Sequence, residues 1–142
     1  MTIEEKLNLI QQVGEEIIGL DEIKNKLENG EPLVAYDGFE PSGRIHIAQG
    51  LVRSLNIQKL IKAGVKFKML VADWHAFANN KLGGDLDKIK KVGDYFIEVW
   101  KACGLDTSQV EFIRSSDLVK NPDFWLLVLK KKKNSTVKRI IR

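Results

Sequence analysis

A single cysteine, Cys103, stands among 142 residues, so no disulfide can form within the chain. That scarcity fits a reducing compartment. Long apolar runs are also missing. Stretches such as Trp125 to Leu129 are far short of the roughly 20 residues that cross a bilayer. The opening MTIEEKLNLIQQ brings acids early and has no apolar signal core, so no export signal is read and a cytoplasmic location is expected. There is no internal repeat and no long linker. Neither the GxxxxGKS/T loop nor the GxGxxG fingerprint of phosphate-binding turns occurs. Asp73 and His75 stand two apart, with no cysteine and no third ligand nearby, so no metal site is expected there. Acids are absent from Lys130 to Arg142, where seven of the 23 basic residues gather. Without those seven, 16 basic residues face 19 acids, so the net +4 becomes −3. The body is mildly acidic and the basicity sits in the tail. Such a block is either a solvated helix face or a contact for a polyanion such as RNA.

What is present suits one domain with a real core: 44% hydrophobic and 30% charged residues. Ile3, Leu7, Ile10, Val13 and Ile17 recur at spacings of three and four, which predicts a helix over residues 2 to 18 with Thr2 as its cap. A second helix is expected over 20 to 29, stopped by Asn29-Gly30. Leu33 to Tyr36 reads as a short buried strand. Ile47, Leu51, Leu55 and Ile61 mark a helix ending near Ala63-Gly64, and Lys66 to Ala72 a second strand. Residues 73 to 84 read as a connection. Asp85 caps a long helix with Leu86, Ile89, Val92, Phe96, Val99, Trp100 and Cys103 on one face. Val110 to Ile113 is a third strand. A last helical stretch begins at Ser116 or Asp117, is interrupted at Pro122 and runs to the end. Strand and helix alternate after residue 32, which predicts an α/β fold with a parallel, Rossmann-like sheet preceded by N-terminal helices. A ligand crevice is then expected beyond the carboxyl ends of the strands, at Tyr36 to Gly43 and Ala72 to Phe77.

The first of these ends carries the chemistry. Gly38 and Gly43 bracket a loop with Pro41 and Ser42, directly before a helix. Absent side chains let a nucleotide reach the backbone, and free N–H groups at a helix start attract phosphate. His46 opens the helix and Gln49 lies three residues on, so both share one face. On residue chemistry alone, a capped helix with two polar first-turn residues explains the same pattern.

The string YDGFEPSGRIHIAQG, from Tyr36 to Gly50, resembles the signature segment of tyrosyl-tRNA synthetases of the archaeal and eukaryotic kind. HIAQ (His46 to Gln49) stands where class I synthetases have HIGH. VADWHAF (Val71 to Phe77) and KKVGDYFIEVWKACGL (Lys90 to Leu105) are similar to later blocks of that family, in order and spacing. The resemblance spans essentially the whole chain. It implies the catalytic domain of a class I synthetase, incomplete here, with a helical segment over 1–30 and the sheet domain over 31–142. It implies activation of tyrosine by ATP, with Mg2+ accompanying the nucleotide, and transfer to tRNA(Tyr). No prosthetic group and no membrane are implied, and family members are dimers or pseudo-dimers.

The resemblance also assigns residues. His46 and Gln49 would be catalytic, touching ATP phosphates, with Gly38, Ser42, Gly43 and Ala48 completing the ATP side. Gln49 replaces a histidine and Ala48 a glycine of the motif. Tyrosine would meet Tyr36, Gly38, Phe39, Glu40, Ala72, Trp74 and His75. Tyr36 would bond the substrate hydroxyl. His75 is expected to be a packed, hydrogen-bonded histidine more than a direct contact. Asp37 and Arg44 read as solvated loop charges, and Trp100 and Trp125 as core or subunit contacts. No KMSKS-type loop is found, since KKKKNST (Lys130 to Thr136) lacks its methionine-serine pattern. No anticodon-binding domain is read either. The expectation is therefore a portion of a tyrosine–tRNA ligase that forms no adenylate by itself. The alternative is a stand-alone nucleotide- or RNA-binding module derived from a synthetase.

Overall fold

The computed structural model describes residues 1–133. The last part of the basic tail, and the expected helix to the end of the chain, lie outside them. Helix α1 (Ile3–Gln11) opens on a capping box: Thr2 Oγ1 accepts from the Glu5 N–H, and the Glu5 carboxylate accepts from the Thr2 N–H. It stops at Gln11, not near residue 18. Gly14 and the acids Glu15 and Glu16 follow, and a glycine costs about 1 kcal/mol inside a helix. Ile17 still reaches the core, but from a loop. Helix α2 (Leu20–Glu28) follows. Ile10 of α1, with Ala63 and Val65 after the third helix, forms a small cluster that docks both N-terminal helices.

Three strands make one parallel sheet: β1 (Val34–Phe39), β2 (Lys66–Val71) and β3 (Val110–Arg114), in the order β1-β2-β3. Tyr36 pairs in register with Lys68, and Lys68 with Glu111; Gly38 pairs with Leu70, and Leu70 with Ile113. β1 runs three residues beyond the expected Tyr36, because its ladder with β2 continues to Phe39↔Val71. α3 (Arg53–Lys62) connects β1 to β2 and α5 (Leu86–Ala102) lies before β3. α5 is capped by Asp85, whose carboxylate accepts from the Asp87 and Lys88 N–H groups.

The core lies on one face of the sheet. Ile57 of α3 and Phe96 and Trp100 of α5 pack on Phe67, Met69 and Val110. Trp100 has Phe39, Phe96 and Phe112 around it, with ring centroids 5.4, 5.9 and 6.2 Å away. Burying each such side chain stabilises the fold by about 1.5–3 kcal/mol. The other face, with Val34, Tyr36, Lys68 and Glu111, is open among the described residues. Parallel sheets are ordinarily covered on both faces.

Two features depart from the periodicity. Residues expected as a plain connection form α4 (Asp73–Ala78) and a short 3₁₀ turn (Lys81–Gly84). DWHAFA is too short to carry a helical period, and bonds from Ser116 to Asp73 and from Trp74 to Ser115 hold its start. After β3 comes α6 (Ser115–Leu118), then α7 (Pro122–Lys133). Pro122 begins α7 where an interruption was expected, because proline is well suited to a first turn.

Candidate functional site

The carboxyl ends of β1 and β2 lie side by side, joined by a 2.8 Å bond from the Ala72 N–H to the Phe39 carbonyl. The chain leaves β1 through Glu40, Pro41, Ser42, Gly43 and Arg44. Pro41 is buried, Gly43 is partly buried, and Ser42 and Arg44 are exposed. Gly43 has φ +145°, a backbone angle that side chains rarely adopt. Glu40 accepts a 2.6 Å bond from the Asn79 side-chain amide at the end of α4. The loop is thus tied to α4, and its Ser42 and Arg44 are exposed.

The following helix begins as a widened π turn (Ala48–Val52) before continuing as α3. His46 and Ala48 are exposed at its start, and Gln49 is partly buried. Behind the turn, the Arg53 guanidinium pairs with the Asp37 carboxylate at 2.8 Å and lies 5.1 Å above the Phe39 ring. Asp37 is therefore a partly buried strand residue with a fixed partner, contrary to the expected loop charge. Arg44 is exposed, as a solvated charge is.

Across β1, alternation sorts the predicted tyrosine residues onto two faces. Tyr36 and Gly38 look out on the open face, and Tyr36 is 81% exposed. Phe39 turns to the helices and touches Trp100. At the β2 end Ala72 is buried, whereas Trp74 and His75 are exposed on α4. His75 is thus not the packed histidine expected. On a six-residue helix lying over the strand ends, its position faces outward. Trp125 is not a core residue either. It is half exposed on α7, where its indole N–H donates to the Val119 carbonyl at 2.7 Å.

The best-bound polar group at these strand ends is one that sequence reasoning weighed only as a poor metal ligand and did not foresee as an anchor. Asp73 is 0% exposed. Its Oδ1 accepts from the Ser115 hydroxyl at 2.6 Å and from the Ser116 and Trp74 N–H groups, each at 2.9 Å. Its Oδ2 accepts from the Ser116 hydroxyl at 2.5 Å. Burial pushes this carboxyl up, but the Ser115 and Ser116 hydroxyls and the two N–H groups outweigh it, and the result lies below the ordinary aspartate value. The network binds the start of α4 to the start of α6, fixing the ends of β2 and β3 together. The available signal was an aspartate two residues past a strand and two serines directly after the next strand.

The site therefore combines an exposed histidine and an amide side chain at a helix start, a glycine-bearing loop and an open sheet face carrying a phenol. That set can bind an anion at the helix start and a small polar-aromatic group on the sheet. Among the described residues, no group of three or more His, Cys, Asp or Glu side chains is placed to hold a metal ion. None of their helices is long and apolar enough to cross a membrane.

Known proteins resemble this chain in sequence and fold. The model of the family described as tRNA synthetases class I (W and Y) matches residues 28–142. A tyrosine–tRNA ligase of Sulfolobus acidocaldarius is 47% identical over 142 residues, covering 100% of this chain and 39% of that protein. The cytoplasmic tyrosine–tRNA ligase 1 of Arabidopsis thaliana is 44% identical, over 99% of this chain and 37% of its own length. The crystal structure of tyrosyl-tRNA synthetase from Aeropyrum pernix superposes with a TM-score of 0.93 at 36% identity, over 99% of this chain and 42% of that one. The chain thus spans about two fifths of the length of each.

Proposed function

The chain belongs to the class I tRNA synthetases of the tryptophan and tyrosine type, and we propose that it supplies the ATP- and tyrosine-facing segment of a tyrosine–tRNA ligase. The observation that carries tyrosine over tryptophan is Tyr36. Its phenol stands free on the open sheet face, beside the uncovered backbone of Gly38. Where bound substrate shuts water out from that hydroxyl, phenylalanine in place of tyrosine would leave a polar group unpaired, which is how such pockets reject it. The relatives named above are tyrosine–tRNA ligases, which supports the same choice.

In this reading, residues 1–30 are a helical appendage to the sheet domain over 31–142. Ser42, Gly43, His46, Ala48 and Gln49, with the Gly38 backbone, take ATP. His46 and Gln49 donate to its phosphates as charge develops there. Magnesium enters only as part of the nucleotide substrate. Glu40, Ala72, Trp74 and His75 border the amino acid, and Phe39 backs the pocket from the core side. The acceptor is tRNA(Tyr) and the location cytoplasmic. Pairing of two chains would use α7, whose Trp125, Leu126, Leu127 and Leu129 are exposed.

Thermal shift on this chain tests the assignment, because a ligand that binds the folded state raises the midpoint with occupancy. Tyrosine and ATP are expected to raise it, and tryptophan is not. Tyr36→Phe should narrow the preference for tyrosine over phenylalanine by about tenfold, the scale of one lost hydrogen bond. Stabilisation by tryptophan and not by tyrosine would sink the amino-acid assignment.

A further inference from the structure

Within the π turn, the Arg53 N–H is directed to the carbonyls of Ala48 and Gly50 and passes over that of Gln49. In a regular α-helix, residue 53 would donate to residue 49. The widened turn takes this acceptor out of register. A carbonyl shielded from water without a donor is costly, so the displaced group, on the partly buried Gln49, gains from a partner elsewhere. It finds one 51 positions away: the Trp100 indole N–H donates to the Gln49 carbonyl at 2.8 Å. Trp100 is 0% exposed and wedged among Phe39, Phe96 and Phe112, so its donor is held rigidly. The rest of the turn is bonded locally. The Gly50 N–H donates to the His46 carbonyl at 2.9 Å, and the buried Ser54 hydroxyl to the Gly50 carbonyl at 2.8 Å.

We infer that Trp100 is a positioning residue: its indole N–H stabilises the π turn and so sets how His46 and Gln49 are presented at the helix start. Periodicity alone puts Trp100 on a buried face, which asks only for a large apolar side chain. The indole nitrogen is the part that packing does not explain. The single distant bond couples α5 and the aromatic core to the two side chains assigned to nucleotide. Single-turn π segments of this kind recur at functional sites. That these side chains serve ATP rests on the function proposed above; the hold on the turn does not.

Replacing Trp100 with 3-benzothienylalanine tests this, because sulfur takes the place of N–H at nearly constant shape. Trp100→Phe is the second variant. Amide hydrogen exchange by NMR on the 142-residue chain should rise about tenfold over residues 49 to 54, as expected from one lost bond to a partly buried carbonyl. Exchange in β2 and β3 should stay unchanged with the thienyl analogue. The His46 ring and Gln49 side-chain amide resonances should shift with it. Wild-type exchange over 49 to 54, or unmoved His46 and Gln49 resonances, would show that Trp100 only fills space. A uniform rise across the whole sheet would show the same. ATP titration of the wild-type chain is a separate arm. Failure to bind ATP would count against the nucleotide assignment, while the exchange data still decide the role of Trp100.

Discussion

The end of β1 and the paired ends of β2 and β3 are neighbours built on opposite terms. After β2 and β3, one carboxylate, Asp73, is wholly buried and takes four donors from three residues. After β1, Ser42 and His46 are exposed, and their segment is tied down by backbone bonds, by the Glu40–Asn79 contact and by one indole from the far core. The first arrangement spends its polar groups on one another and has none left to offer a ligand. The second leaves its groups unspent and is held from behind. Anchoring and exposure are thus placed on separate residues of neighbouring strand ends.

Asp73→Ala is the most severe way to break that contrast. It strips the acceptor from two buried hydroxyls and two N–H groups, and the expected loss is about 3–4 kcal/mol in urea unfolding. A loss under about 1 kcal/mol would mean the network is not the anchor. The same carboxylate gives a pH signature. Its folded value lies below the ordinary one, so its stabilisation is complete above about pH 4 and drains away as pH falls further. Asp85, and Asp106, whose carboxylate accepts from the Ser108 N–H to cap the 3₁₀ turn Thr107–Gln109, are lowered in the same direction by their hydrogen bonds, so the acid limb of wild type should be steeper than that of Asp73→Ala but not vanish in the variant. Thermal midpoints from pH 6 to pH 2 would show it.

Gly93 of α5 is where the two regions meet. A methyl group there would lie 2.9 Å from Val71 Cγ1, 3.4 Å from Arg114 Nη1 and 3.6 Å from Pro41 Cγ. Gly93→Ala adds helix propensity but overpacks this junction, for a net loss of about 1–2 kcal/mol. Chemical-shift changes at both Pro41 and Arg114 would confirm that one wall serves both. At the small end stands His46→Ala. Its side chain is exposed, so stability should change by under about 0.5 kcal/mol while ATP-dependent stabilisation is lost. A large drop in stability would erase the distinction between the anchored and the presenting region.

The element order and the parallel sheet were legible because alternating and 3.6-residue patterns reflect burial on one face. Ile89, Phe96 and Trp100 lie buried on the stripe that spacing defines along α5. Asp85, Gly30 and Gly64 mark boundaries through local turn chemistry that needs no distant partner. α4 was not legible, since its start is fixed by Ser115 and Ser116, some forty positions on. Asp37 looked like a loop charge because its partner Arg53 comes into reach only when α3 folds back on β1. His75 looked packable, but the short helix that carries it turns it outward.

The sequence by itself determined the family, the strand–helix alternation and the segment Tyr36 to Gln49 as the place to look, because those rest on residue types and short spacings. Tertiary structure alone decided which side each candidate faces: Tyr36 and Gly38 to the open sheet, Phe39 to the core. It alone also chose the supports, Asp73 with its two serines and Trp100 with the Gln49 carbonyl. Those bonds join residues 42 to 51 positions apart. A hydrogen bond of that span leaves no period in the chain, since its geometry exists only after the sheet and its helices have packed.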